Sequence, residues 1–75
     1  MARVELITTE DCTRCEQAKD MLRKLRIKYI AIDATKQPEI LAKYPIMAAP
    51  GIAINGKLVF SGLPSESELK KRLKM

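Results

Sequence analysis

The feature that most constrains this chain is a pair of cysteines placed where a strand pattern gives way to a helix pattern. Cys12-Thr13-Arg14-Cys15 holds the only two cysteines of the sequence. Strand-like Val4-Glu5-Leu6-Ile7-Thr8 precedes it, and Ala18, Met21, Leu22 and Leu25 follow at helical spacing. A cysteine in the first turn of a helix meets unpaired N–H groups and the positive end of the helix dipole, both of which favour thiolate. The second cysteine, three residues on, shares its helical face and lies within bonding range. This is the arrangement of a reversible dithiol. Arg14 favours the Cys12 thiolate and the Glu10 and Asp11 carboxylates oppose it. Net lowering of the Cys12 pKa is expected, because helix N–H groups act at contact range while the carboxylates turn to water. Asp11 is the expected N-cap of that helix.

The length of 75 residues corresponds to one domain, residues 1–75. Small secreted domains of this size depend on several disulfides, but a loop closed by cysteines three apart constrains the unfolded chain little. The pair is therefore better suited to chemistry than to stapling. With 47% hydrophobic and 31% charged residues the composition is that of a globular protein. Met1-Ala2-Arg3 leads directly into strand pattern without the look of a signal peptide, and no apolar run reaches the ~18 residues of a membrane helix. A cytoplasmic setting and no membrane association are expected, and there a CxxC is catalytic or metal-binding. The net charge of +5 raises nucleic-acid binding as a possibility. The cations are scattered, however, over Arg23-Lys24, Arg26, Lys28, Lys70-Lys71-Arg72 and Lys74. Tyr29, Tyr44 and Phe60, the only aromatics, are not set between them as a base-stacking platform requires. Solvated helix faces explain the charge, with a bias toward acidic partner surfaces.

Further along, the first helix is expected to end near Arg26, and Lys28–Asp33 alternates like a half-buried strand. Pro38 suits the first turn of a short helix to Lys43, ended by Tyr44-Pro45. Ile52–Ile54 and Leu58–Phe60 flank Asn55-Gly56, a strong type I′ hairpin signal. Ser65 and Glu68 form a capping box for a last helix with Leu69 and Leu73. Met21, Leu22, Leu25, Ile30, Ile32, Ile54, Val59 and Leu69 are the expected core. The order β-α-β-α-β-β-α implies an α/β fold, with a right-handed parallel crossover followed by an antiparallel hairpin in one sheet.

This order, together with Cys12-x-x-Cys15 at the first helix and Ala49-Pro50 just before the third strand, resembles the thioredoxin fold in its smallest form. The resemblance spans essentially the whole chain and is closest to small glutaredoxin-like thioredoxins, the redox-active disulfide proteins. It implies a four-stranded mixed sheet flanked by three helices, and a thiol–disulfide oxidoreductase acting on protein disulfides. By the same resemblance Cys12 is the nucleophile, Cys15 resolves the mixed disulfide, and Pro50 is cis. Ala49 and Pro50, with Thr13 and Arg14, then meet the substrate. Thr9, Thr13, Ala48, Ala49 and Gly62 are expected to form a weakly polar rim. No bound cofactor or metal is expected, and the protein is expected to be a monomer. Electrons would come from an NADPH-fed disulfide reductase or from glutathione.

The sequence also departs from the larger families. Leu6 stands where thioredoxins place a buried acid, so protons leaving Cys15 must use water or another group. Thr13-Arg14, Ala48-Ala49 and Ser61-Gly62 replace the usual glutaredoxin dipeptides, which favours a protein disulfide over glutathione as substrate. Two rival readings remain at this level. A CxxC can hold copper(I) between two thiolates, although small copper carriers have a Met where Glu10 stands and run βαββαβ. A thioredoxin-fold binding module with an inert disulfide is the other. Zinc is weaker, since the chain has no histidine.

Overall fold

The computed structural model describes residues 3–73. Met1-Ala2 and Lys74, read above as the leading residues and part of a basic cluster, lie outside these. The elements are β1 (Val4–Thr8), α1 (Thr13–Lys24), β2 (Ile30–Asp33), α2 (Ile40–Lys43), β3 (Gly51–Ile54), β4 (Lys57–Ser61) and α3 (Glu66–Leu73). One sheet of order β2-β1-β3-β4 results, with β2 parallel to β1, and β3 antiparallel to both β1 and β4. The four-stranded mixed sheet and three helices are those expected. No helix among the described residues is long and apolar enough to cross a membrane.

β1 lies inside the sheet and all five of its residues are buried. Because successive side chains alternate, Val4 and Leu6 pack with Ala18, Leu22, Ile52 and Leu69, while Ile7 packs with Ala34, Tyr44 and Ala53. The first group joins the sheet to α1 and α3, the second to the segment around α2. Leu6, at the position of the family acid, is fully buried in the first cluster.

Local chemistry explains most boundaries. α1 stops at Lys24 rather than Arg26, because Arg26 takes φ 57°. Its N–H bonds Arg23 O at 3.0 Å and that of Ile27 bonds Leu22 O at 2.9 Å, a Schellman closure that leaves Leu25 as the cap. β2 begins at Ile30 rather than Lys28, where its pairing with Glu5 of β1 begins. α2 begins at Ile40 rather than Pro38. The preceding turns close through three-residue spacings, Leu41 N to Pro38 O and Ala42 N to Glu39 O, both 3.1 Å. The hairpin is as expected, with φ 52° at Asn55 and 83° at Gly56. The capping box is also present: Glu68 N donates to Ser65 Oγ at 3.2 Å, and Ser65 N to Glu68 Oε1 at 3.4 Å.

The expected core needs one correction and two refinements. Leu22 and Leu69 are fully buried, and Met21, Leu25 and Ile54 pack against them. Ile30 is 50% exposed, because β2 is an edge strand that covers less than an interior one. Ile32 and Val59 are only half-buried, on the two edge strands.

Candidate redox site

The site forms at one end of the sheet because four chain segments reach it together. Thr8 ends β1 opposite Asp33, the last residue of β2, and Ile7 pairs with Gly51, the first residue of β3. Gly51 in turn pairs with Ser61, the last residue of β4. The 9–12 loop, the 34–37 turn, Pro50 and Gly62 therefore gather at the same edge. Ala34 N donates to Thr8 O at 2.8 Å and Glu10 N to Thr35 Oγ1 at 3.4 Å, tying the cysteine loop to the turn after β2. Gly62 N donates to Pro50 O at 2.7 Å, joining the segments either side of the hairpin.

Asp11 is not the N-cap. It takes φ 52°, a left-handed conformation that aspartate tolerates. The cap is Cys12 itself, at φ −106° and ψ 102°, whose Sγ accepts the Cys15 N–H at 3.1 Å. Sulfur thus takes the place of the usual oxygen cap, and Glu16 N bonds Cys12 O at 3.3 Å to start the helix. The two cysteines are joined as a disulfide, with Cα atoms 5.2 Å apart. Cys12 is half-buried and Cys15 is 2% exposed. The sulfur nearer the surface is the one at the helix N-terminus.

An open cleft of about 520 Å³ borders the disulfide. Thr13, named from the sequence, lines it beside both cysteines. Arg14 is exposed and, like Ala49 and Pro50, does not line it. The Ala49–Pro50 peptide bond is cis and Pro50 is fully buried, at the same sheet end as the cysteine loop. Thr9, Thr13 and Ala48 of the rim are exposed, and Ala49 and Gly62 half-buried. Sequence reasoning missed Thr8, Glu16, Lys19 and Asp33, which also line the cleft. Helical spacing pointed to two of them, since Glu16 and Lys19 continue the stripe begun by Cys12 and Cys15. Asp33 emerges only from the strand register.

A mixed four-stranded sheet with a disulfide at a helix N-terminus and a cis proline opening β3 defines a thioredoxin-like protein. The family model of the thioredoxin domain matches residues 2–74, and the chain belongs to that family. It is similar to the thioredoxin of Methanocaldococcus jannaschii, at 30% identity over 96% of this chain and 92% of that protein. Among solved structures it is similar to the thioredoxin-like protein BC3987, at 25% identity and a TM-score of 0.76 over 92% of this chain and 97% of that one. Oxidised mitochondrial thioredoxin 3 of Saccharomyces cerevisiae shares the fold, with a TM-score of 0.79 at 21% identity over 97% of this chain and 76% of that one. The protein is a thiol–disulfide oxidoreductase.

Proposed function

We propose that this protein reduces disulfides of protein substrates, with Cys12 as the attacking thiolate and Cys15 as the resolving thiol. The observation that carries the assignment is the unequal exposure of the two sulfurs. Cys12 is half-buried at the cap of α1, and Cys15 is 2% exposed one turn inside. An incoming disulfide reaches the first and not the second. N–H groups at the helix start favour its thiolate.

In the reduced protein Cys12 Sγ attacks one sulfur of the substrate disulfide. A mixed disulfide forms and the other substrate sulfur leaves as thiolate. Cys15, once deprotonated, attacks Cys12 Sγ, which restores the intramolecular disulfide and expels the second substrate thiolate. Two electrons pass to the substrate and the protein ends oxidised. An NADPH-fed disulfide reductase returns them, with glutathione as the other candidate donor. Thr13 and Arg14 contact the substrate beside the attacking sulfur, and the backbone of Ala49, set by the buried cis Pro50 that follows it, receives the extended substrate chain at the same sheet end. Residues 1–75 act as one unit and as a monomer in the cytoplasm, with no bound cofactor. The copper-carrier alternative draws no support from the order of elements, because α2 separates β2 from β3.

The test is a trapping pair. With a disulfide-bonded protein such as insulin, Cys15→Ser is expected to accumulate a mixed disulfide and Cys12→Ser to form none. Equal trapping by both variants, or by neither, overturns the assignment.

A further inference from the structure

The position of the family acid is occupied by Leu6, buried in the core, so that position supplies no charge to the inner sulfur. Among the described residues, the charged groups facing the disulfide cleft are Asp11 of the loop, Glu16 and Lys19 of α1, and Asp33 at the end of β2. β1 and its following residue contribute only the uncharged Thr8 and Thr9. Lys19 is the sole cation among them. It lies four residues after Cys15, and helical side chains lean toward the N-terminus, so its stem runs back over the turn that carries Cys15. Its side chain is 25% exposed, whereas the cations of the other ion pairs are 47–72% exposed. Lys19 Nζ pairs with Glu16 Oε1 at 3.4 Å, and that carboxylate is 66% exposed. Asp33 is already engaged, accepting the Thr35 N–H at 2.8 Å.

We propose that Lys19 is a positioning residue for the resolving step, its ammonium stabilising the Cys15 thiolate across the cleft while Glu16 holds that ammonium in place. The assignment rests on the reductase reading above and names a charge beside its resolving sulfur. During resolution the Cys15 S–H bond breaks and its proton leaves to water in the open cleft. The electron pair on sulfur, held beside the ammonium, attacks Cys12 Sγ. The mixed disulfide breaks and the substrate sulfur departs with its electrons. Lys19 neither gives nor takes a proton.

The test titrates the reduced protein in the ultraviolet thiolate band, in a Cys12→Ser background that leaves Cys15 as the only thiol. Lys19→Met keeps the stem and removes the charge, and Lys19→Arg keeps the charge. An opposite charge nearby favours the ionised form. Lys19→Met is therefore expected to move the Cys15 titration upward by roughly half to one pH unit, and Lys19→Arg to leave it near the parent. The difference should shrink in ~1 M salt, where the Debye length is ~3 Å. With both cysteines present, resolution near pH 7 should slow roughly two- to fourfold in Lys19→Met, since the greater nucleophilicity of the less acidic thiolate offsets part of its lower population. If Lys19→Met does not fold, Glu16→Gln, at an exposed carboxylate, reads the same field and should move the titration downward. Unchanged titrations in Lys19→Met at low salt, or in Glu16→Gln where that is the variant used, overturn the proposal. Since the titration needs no substrate, a shift in a protein that fails to reduce insulin supports Lys19 and overturns the reductase reading. A protein that reduces insulin but shows no shift overturns only the role of Lys19.

Discussion

Two polar pairs, one on each side of the sheet, show how burial decides what a charge is for. On the α2 side, the Tyr44 hydroxyl donates to Glu5 Oε1 at 2.7 Å, with Tyr44 1% and Glu5 5% exposed. On the cleft side, Glu16 and Lys19 meet at 3.4 Å in an open groove beside the disulfide. The closed pair is shut away from solvent. A carboxylate in that setting is costly unless partnered, so the pair joins β1 to the end of α2. The open pair contributes little to stability, as exposed ion pairs do, and its charges remain free to act on sulfur. Breaking the first should therefore cost stability and spare the chemistry. Breaking the second should do the reverse.

The largest contrast comes from the dithiol itself. Cys12→Ser should abolish disulfide reduction, measured by insulin precipitation, while leaving the fold intact by circular dichroism. Residual turnover would place the chemistry elsewhere. Tyr44→Phe should destabilise the protein by about 1–3 kcal/mol, because it strands a buried carboxylate. Urea unfolding checks this, with activity per folded molecule expected to hold. Adding Glu5→Leu should recover much of that loss, since removing both partners of a buried hydrogen bond is far milder than removing one. Gly51→Ala should cost roughly 1–3 kcal/mol. A Cβ there collides with Ile46 Cγ2, and the strain falls on the segment leading to Pro50. Here stability and turnover should decline together, in contrast to either pair.

The smaller effects concern pH and the surface. The hydrogen bond to Glu5, then burial and the charge of that carboxylate, hold the Tyr44 phenol above its usual value of 10.0, with Lys43 opposing. The folded state therefore keeps its proton where the unfolded chain has lost it. This contribution is whole below pH 10 and disappears as pH rises through the folded value. Alkaline unfolding curves should show it, and Tyr44→Phe should flatten them. At the other extreme, Asp20→Asn breaks an ion pair whose side chains are 65% and 74% exposed. It should shift stability by no more than about 0.5 kcal/mol in thermal unfolding.

Features that depend on neighbours a few residues apart were legible in the sequence. Asn55-Gly56 announced its turn because only residues tolerant of positive φ fit there. Ser65 and Glu68 announced a helix start because each satisfies the other's backbone. The cysteine pair was legible for the same reason, since three residues separate its sulfurs. Asp11 was misread as the cap because cysteine is an uncommon one, and only the folded loop shows Cys12 Sγ taking the N–H. Ile30 was misread as core because alternation reports a half-buried strand without saying which strand lies at the edge.

By itself, then, the sequence determined the order of elements, the hairpin turn, the cap of the last helix and the two cysteines, all settled by short-range sterics and hydrogen bonding. Only the tertiary structure decided which charges face those sulfurs and which are shut away. Asp33 reaches the cleft through its pairing with Thr8, 25 residues away in the chain. Glu5 finds Tyr44 across 39. Those partnerships depend on strand register and on which face of the sheet each helix covers, and no local preference of the chain encodes either.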